Sequence, residues 1–135
     1  MSTPQIPVAL FIRVSDGHRQ DYARQLHDLQ KEVAAENYHV VATIAEQGSG
    51  SKRILAARPA ISELKALVKS RQIKKVLVTE FSRLGRRGRE VRSVIEDLME
   101  AGVSTWSGRL RMETLLPDGT KNPIAVLMMF IYTER

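Results

Sequence analysis

The sequence predicts an α/β domain, a doubly wound, mostly parallel four- to five-stranded sheet with flanking helices that ends in an apolar C-terminal helix. Three observations carry that prediction. Short β-branched runs near residues 8–14, 39–45 and 75–79 alternate with longer segments whose apolar residues recur at helical spacing. The first run is apolar almost without interruption, as suits a strand buried on both faces of a parallel sheet. The chain, 135 residues with 43% hydrophobic content, is long enough to bury the core of one domain.

Taken in order, the first strand is Val8-Ala9-Leu10-Phe11-Ile12-Arg13-Val14-Ser15, where the apolar run gives way to an arginine two residues before a serine. Ligands of open parallel sheets collect beyond the carboxyl ends of strands, so Ser15, followed by the turn-forming Asp16-Gly17, stands where a hydroxyl can meet a substrate. The plain alternative is a strand exit, with Arg13 paired to a nearby acid. Asp21 to Asn37 carries Tyr22, Leu26, Leu29, Val33 and Ala34 at helical spacing. His39 to Ala45 reads as the second strand and discharges into a flexible polar loop, Glu46 to Arg53. Arg58 precedes Pro59, which fits the first turn of a helix running through Val68. Lys75 to Thr79 is the third strand, and the loop Glu80 to Gly88 leads to a helix through Ala101, stopped by Gly102. Val103 to Trp106 and Leu110 to Thr114 read as a fourth strand and a short continuation, Pro117-Asp118-Gly119-Thr120 as a turn, and Asn122 to Arg135 as a final helix opened by Asn-Pro. Without internal repeats or a long linker, residues 1–135 are assigned to a single domain.

Composition narrows the function. With no cysteine, thiolate chemistry, disulfides and thiolate zinc sites are excluded, and a reducing, cytosolic setting is compatible. The net charge of +6 points to a polyanionic partner, nucleic acid being the commonest. Met1 to Pro7 lacks the features of a signal peptide, and the longest apolar run, Pro123 to Tyr132, is too short to span a bilayer. His18, His27 and His39 have no metal-site spacing.

Chemistry concentrates in the loops after the strands. Arg13 and Ser15 follow the first, the segment Gly48 to Arg58 the second, and Arg83 and Arg86 the third. Parallel strand ends lie about 4.8 Å apart, so these groups converge on one crevice and can reach a common phosphate. Arginine suits that task because its planar, permanently charged fork holds two phosphate oxygens at once. In Ser82-Arg83-Leu84-Gly85-Arg86, Leu84 can anchor the turn and Gly85 permits close backbone approach. The competing reading of Arg83, Arg86, Arg87, Arg89 and Arg92 is a solvated basic helix face.

These motifs, in this order and spacing, resemble the catalytic domain of serine recombinases, the resolvases, invertases and serine integrases. The resemblance covers nearly the whole chain. It rests on Ile12-Arg13-Val14-Ser15 with Gln20 and Gln25 downstream, Gly48-Ser49-Gly50, Arg58-Pro59-Ala60-Ile61 with Leu64, Ser82-Arg83-Leu84-Gly85-Arg86, Gly102-Val103 and Glu134-Arg135. It implies that Ser15 is a nucleophile that attacks a DNA phosphodiester, forms a 5′-phosphoserine linkage and frees a 3′-hydroxyl, with reversal rejoining the exchanged strands. Arg13, Arg58, Arg83 and Arg86 would stabilise the transition-state charge as preorganised donors, with no metal, ATP or other cofactor. Gln20, Gln25, Ser49, Gly50 and Ser82 would position the nucleophile or bind phosphate. By the same resemblance Arg86 is a candidate proton donor, DNA is the partner, and the protein is cytoplasmic and associated with the bacterial nucleoid.

The last helix carries Ile124 to Tyr132, apolar around its full circumference rather than along one stripe. One face can pack on its own domain and the rest needs a partner. The resemblance implies a homodimer through this helix and a tetramer in the synaptic complex; the alternative is the core helix of a monomer. Two departures stand out. Ser82 occupies the position where small resolvases carry Asp before the first arginine, and Glu80 or Glu46 could substitute in orienting Arg83. The chain also ends at Arg135, where the family continues into a DNA-recognition domain. The expectation is therefore that the C-terminal helix, about 122–135, is truncated and the recognition domain absent.

Two other functions compete. A non-catalytic DNA-binding or regulatory module would keep the basic surface without needing Ser15 beside four arginines. A phosphate- or nucleotide-binding α/β domain is the second, but Gly48 to Lys52 lacks P-loop spacing, and a receiver-type site would want paired acids where Arg13 stands.

Overall fold

The computed structural model describes residues 4–14, 19–47 and 58–133, with side chains through residue 131. The elements are β1 (Ile6–Val14), α1 (Arg19–Ala35), β2 (Tyr38–Gln47), α2 (Pro59–Lys69), β3 (Lys75–Val78), a 3₁₀ turn (Phe81–Leu84), α3 (Gly88–Glu100), β4 (Ser104–Ser107), β5 (Met112–Glu113) and α4 (Pro123–Thr133). They form one five-stranded sheet in the order β2-β1-β3-β4-β5, parallel except for β5. The chain runs outward from β1 to β2 and then crosses back to β3, so the strand order reverses between β1 and β3. That reversal opens a crevice at the carboxyl ends of these two strands, the usual ligand position of such sheets.

β1 is buried on both faces. Val8, Leu10, Ile12 and Val14 pack with Leu29 of α1, Tyr38, Leu77 and Trp106 in one core. Ala9 and Phe11 enter the other, where α2 supplies Ile61 and Leu64, α3 supplies Val91, Ile95 and Leu98, and α4 supplies Met129. The doubly wound sheet expected from the alternating runs is therefore present, with α1 on one side and α2, α3 and α4 on the other.

Several boundaries differ from expectation for identifiable reasons. Glu46 and Gln47, expected in a flexible loop, are the last residues of β2, because β1 continues beside them and pairs Arg13 with Glu46 and Val14 with Gln47. The polar loop Glu80 to Gly88 contains the 3₁₀ turn. The fourth strand starts at Ser104, and the continuation expected over Leu110 to Thr114 is only the two-residue β5, which runs antiparallel. The chain reverses between them, with the Arg111 N–H donating to the Ser107 carbonyl at 2.8 Å and Arg111 at φ 53°. Gly102 ends α3 at φ 79°, the left-handed conformation that glycine adopts without a Cβ clash. Asn122 caps α4, its Oδ1 accepting from the Ile124 and Ala125 N–H groups. Among the described residues no helix is long and apolar enough to cross a membrane.

Candidate active site

Arg13 lies on the Phe11 face of β1 and spans the crevice. Its Nε donates to the Arg83 carbonyl at 3.2 Å and its Nη2 to the Ser82 carbonyl at 3.1 Å. Arg83 returns the contact, its Nη1 donating to the Arg13 carbonyl at 3.2 Å. The two arginines thereby lock the carboxyl end of β1 to the 3₁₀ turn after β3. Burial holds the Arg13 pKa below the ordinary arginine value, and the positive charges of Arg86, Arg83 and Arg58 act in the same direction; only Glu46 opposes them. Four guanidinium groups thus share one electrostatic neighbourhood, a costly arrangement in the absence of anions and a favourable one around a phosphate.

Arg58 comes from the residue before α2. Its Nε and Nη2 donate to the two carboxylate oxygens of Glu46 at 2.9 and 2.6 Å, and its Nη1 donates to the Leu84 carbonyl at 3.1 Å. Both side chains of the pair are only 10% exposed. What puts Glu46 on this side of the sheet is a bulge. The β1–β2 register shifts between Val8 and Ala9, so that Val8 opposes Val40 while Ala9 opposes Ala42. Val40 faces α1, whereas Val41, Ala42 and Ile44 all pack toward α2 and α3. Without the extra residue the alternation begun at Tyr38 would have put Glu46 on the α1 face.

Arg83 is held on its other side by Glu80, whose Oε1 lies 3.2 Å from Arg83 Nη2. Of the two acids expected to replace the missing aspartate, Glu80 therefore contacts Arg83, and Glu46 orients Arg58 instead. Ser82 contributes its carbonyl to Arg13, and with Arg13, Arg86 and Arg87 it lines a cavity of about 580 Å³. Gly85 sits against the start of α3, where a Cβ would meet Glu90 Cβ at 2.8 Å and the Val91 nitrogen at 2.9 Å. The Glu90 carboxylate accepts from the Arg86 and Arg87 N–H groups at 2.9 and 3.2 Å, fixing the helix entry. Gly85→Ala is therefore expected to lower stability by about 1–3 kcal/mol by forcing the 3₁₀ turn off α3, read as a lower urea midpoint at unchanged slope.

The two glutamines separate. Gln25 is fully buried, and its Nε2 donates to the Arg13 carbonyl and to Asp21 Oδ2, both at 3.1 Å. Gln20 is exposed in the first turn of α1 and is not brought to this cluster. Ser15, Ser49 and Gly50 lie outside the described residues. Sequence reasoning missed the pairing of Glu46 with Arg58, visible only through the bulge, and Arg109, which the turn after β4 brings to the same cavity.

A family model described as the resolvase N-terminal domain matches residues 8–132. The chain belongs to the resolvase family. Solved serine recombinase domains share its fold. The N-terminal catalytic domain of TP901-1 integrase matches at 22% identity and TM-score 0.73, covering 93% of this chain and 92% of that one. A resolvase family site-specific recombinase from Streptococcus pneumoniae matches at 20% identity and TM-score 0.72, over 95% and 85% of the two chains. The C-terminal catalytic domain of ISC1926 TnpA, an IS607-like serine recombinase, matches at 28% identity and TM-score 0.67, over 76% and 70%. No curated protein sequence matches the chain. Within this resolvase-family domain, the cluster of Arg13, Arg58, Arg83 and Arg86 occupies the crevice where strand order reverses. The arginines reach it from three segments, and two buried or half-buried acids, Glu46 and Glu80, orient the guanidinium groups of Arg58 and Arg83.

Proposed function

We propose that the protein cleaves and rejoins DNA, with Ser15 as the nucleophile. The observation that carries this reading is the anchoring of Arg13, Arg58 and Arg83 by backbone carbonyls and carboxylates at the end of the strand that Ser15 follows. Attack of the Ser15 hydroxyl on a phosphodiester forms a 5′-phosphoserine ester and releases a 3′-hydroxyl; the reverse attack restores the DNA. The pentacoordinate transition state carries additional negative charge on its equatorial oxygens. Guanidinium groups already held in place stabilise it without reorganising at the moment of reaction. They also favour the alkoxide form of the nucleophile. In this reading no metal, ATP or other cofactor takes part, and Gln25, Ser82, Ser49 and Gly50 position the loop or the phosphate. The work is that of a cytoplasmic, DNA-acting catalytic domain.

The same reading gives α4 a role. Ala125 and Met129 are buried against the domain, while Ile124, Leu127 and Ile131 are 59%, 59% and 57% exposed. We infer that this stripe pairs two copies and that two such pairs assemble around the exchanging strands.

Covalent trapping tests the chemistry. The full-length protein is incubated with a supercoiled plasmid carrying its crossover site in EDTA, then denatured. A protein–DNA adduct that forms in EDTA and is lost in Ser15→Ala is the expected result. DNA binding with no adduct from the unaltered protein would favour a regulatory module.

A further inference from the structure

The row of cations at the carboxyl ends of the strands continues beyond β3. After β4 the chain turns at Gly108–Arg111, and the Arg109 N–H donates to the Thr79 carbonyl at 2.8 Å, holding this turn beside the segment that leads into Glu80. Arg109 lines the same cavity as Arg13, Ser82, Arg86 and Arg87, in which Glu80 is the one acid among the described lining residues. Its side chain is 60% exposed and its Nη1 lies 3.4 Å from Glu80 Oε2. The other oxygen of the same carboxylate is 3.2 Å from Arg83. Glu80 thus bridges a guanidinium of the proposed catalytic cluster and an outer one.

We propose that Arg109 is a second phosphate subsite: it binds a backbone phosphate of the DNA within a few nucleotides of the one to be cut, exchanging its contact with Glu80 for that phosphate. The inference rests on the DNA reading above and adds a residue that neither the motif resemblance nor the arginine cluster includes. The spacing fits. β1 and β4 are two strand steps apart, roughly 10 Å, and a DNA strand presents one phosphate per about 3.4 Å of helix axis. Arg109 therefore stands within about three phosphate steps of Arg13 along a strand laid across the sheet edge. Glu80 keeps its hold on Arg83 while the outer cation is handed to the DNA, so the exchange costs the inner site little of its geometry.

Binding of a short fluorescent duplex of mixed sequence, followed by anisotropy across a salt series, tests this. Each phosphate contact contributes about 0.9 to the slope of log affinity against log salt. Arg109→Gln is expected to reduce the slope by about that amount, Arg109→Lys to retain most of it, and Lys74→Gln, at the opposite end of β3, to leave it unchanged. An unchanged slope in Arg109→Gln overturns the proposal, as does an equal fall in Lys74→Gln, which would indicate a diffuse field. If the unaltered protein binds no DNA at any salt, this proposal falls, while the recombinase reading is decided separately by the covalent adduct. A unchanged thermal midpoint in each variant ties the slopes to the folded protein.

Discussion

Glu46→Ala is expected to cost about 3–5 kcal/mol of stability, because it strands a charge in the interior. Arg58 and Glu46 form a two-pronged pair with both side chains nearly excluded from water. Removing the acid leaves a guanidinium whose desolvation is no longer compensated, and it can regain water only by breaking its bond to the Leu84 carbonyl and loosening the start of α2. Chemical denaturation should show a lower midpoint at an unchanged slope. The double replacement Glu46→Leu with Arg58→Met should recover most of the stability, since well-packed apolar groups replace buried ion pairs at little cost. Its DNA cleavage should remain absent. That split between regained stability and lost chemistry would identify the pair as serving the site. A loss below about 1 kcal/mol in Glu46→Ala would mean the pair behaves as an ordinary surface contact.

Arg13→Lys is expected to slow formation of the Ser15–DNA adduct by about 10²–10³-fold, the usual effect of removing one preorganised donor from a charge-stabilising site. Lysine keeps the positive charge but has no fork, so it cannot hold the carbonyls of Ser82 and Arg83 together. The 3₁₀ turn then loses its tie to β1, and Arg83 loses part of its orientation. Rates of adduct accumulation under single-turnover conditions measure the effect directly. DNA affinity at low salt should change much less than the rate. Equal losses in affinity and rate would mean that Arg13 serves only to bind.

Much of the scaffold could be read from residue patterns. The unbroken apolar run of β1, the Pro59 helix start, the Gly102 stop and the Asn-Pro start of α4 each have a local physical cause, and each produces the expected element. Local causes failed where pairing decides the outcome. Glu46 and Gln47 are polar and precede a Gly/Ser segment, so they resemble loop; β1 extends alongside and recruits them. The fourth strand was legible to within a residue, but its continuation over Leu110 to Thr114 was not: the chain reverses at Arg111 and only Met112–Glu113 pair, antiparallel, with β4. Within the site, Arg13, Arg83 and Arg58 were legible because strand ends and turn motifs fix their addresses. The acid assigned to each arginine was not, since a single bulged residue in β2 decides which way Glu46 points. Gln25 and Gln20 are alike as letters; only the position of Asp21 and the Arg13 carbonyl relative to α1 distinguishes them.

β1 belongs to both cores at once. Residues Val8, Leu10, Ile12 and Val14 are sealed by one layer, and Ala9 and Phe11 by the other. A strand that is the shared wall of two compartments cannot keep its place when either compartment opens. Peeling away α1, or α2 and α3, therefore removes the support of Arg13 together with the layer. Loss of either compartment is expected to disorder the arginine platform as well. The two compartments stand or fall with the strand they share, and the arginine platform with them.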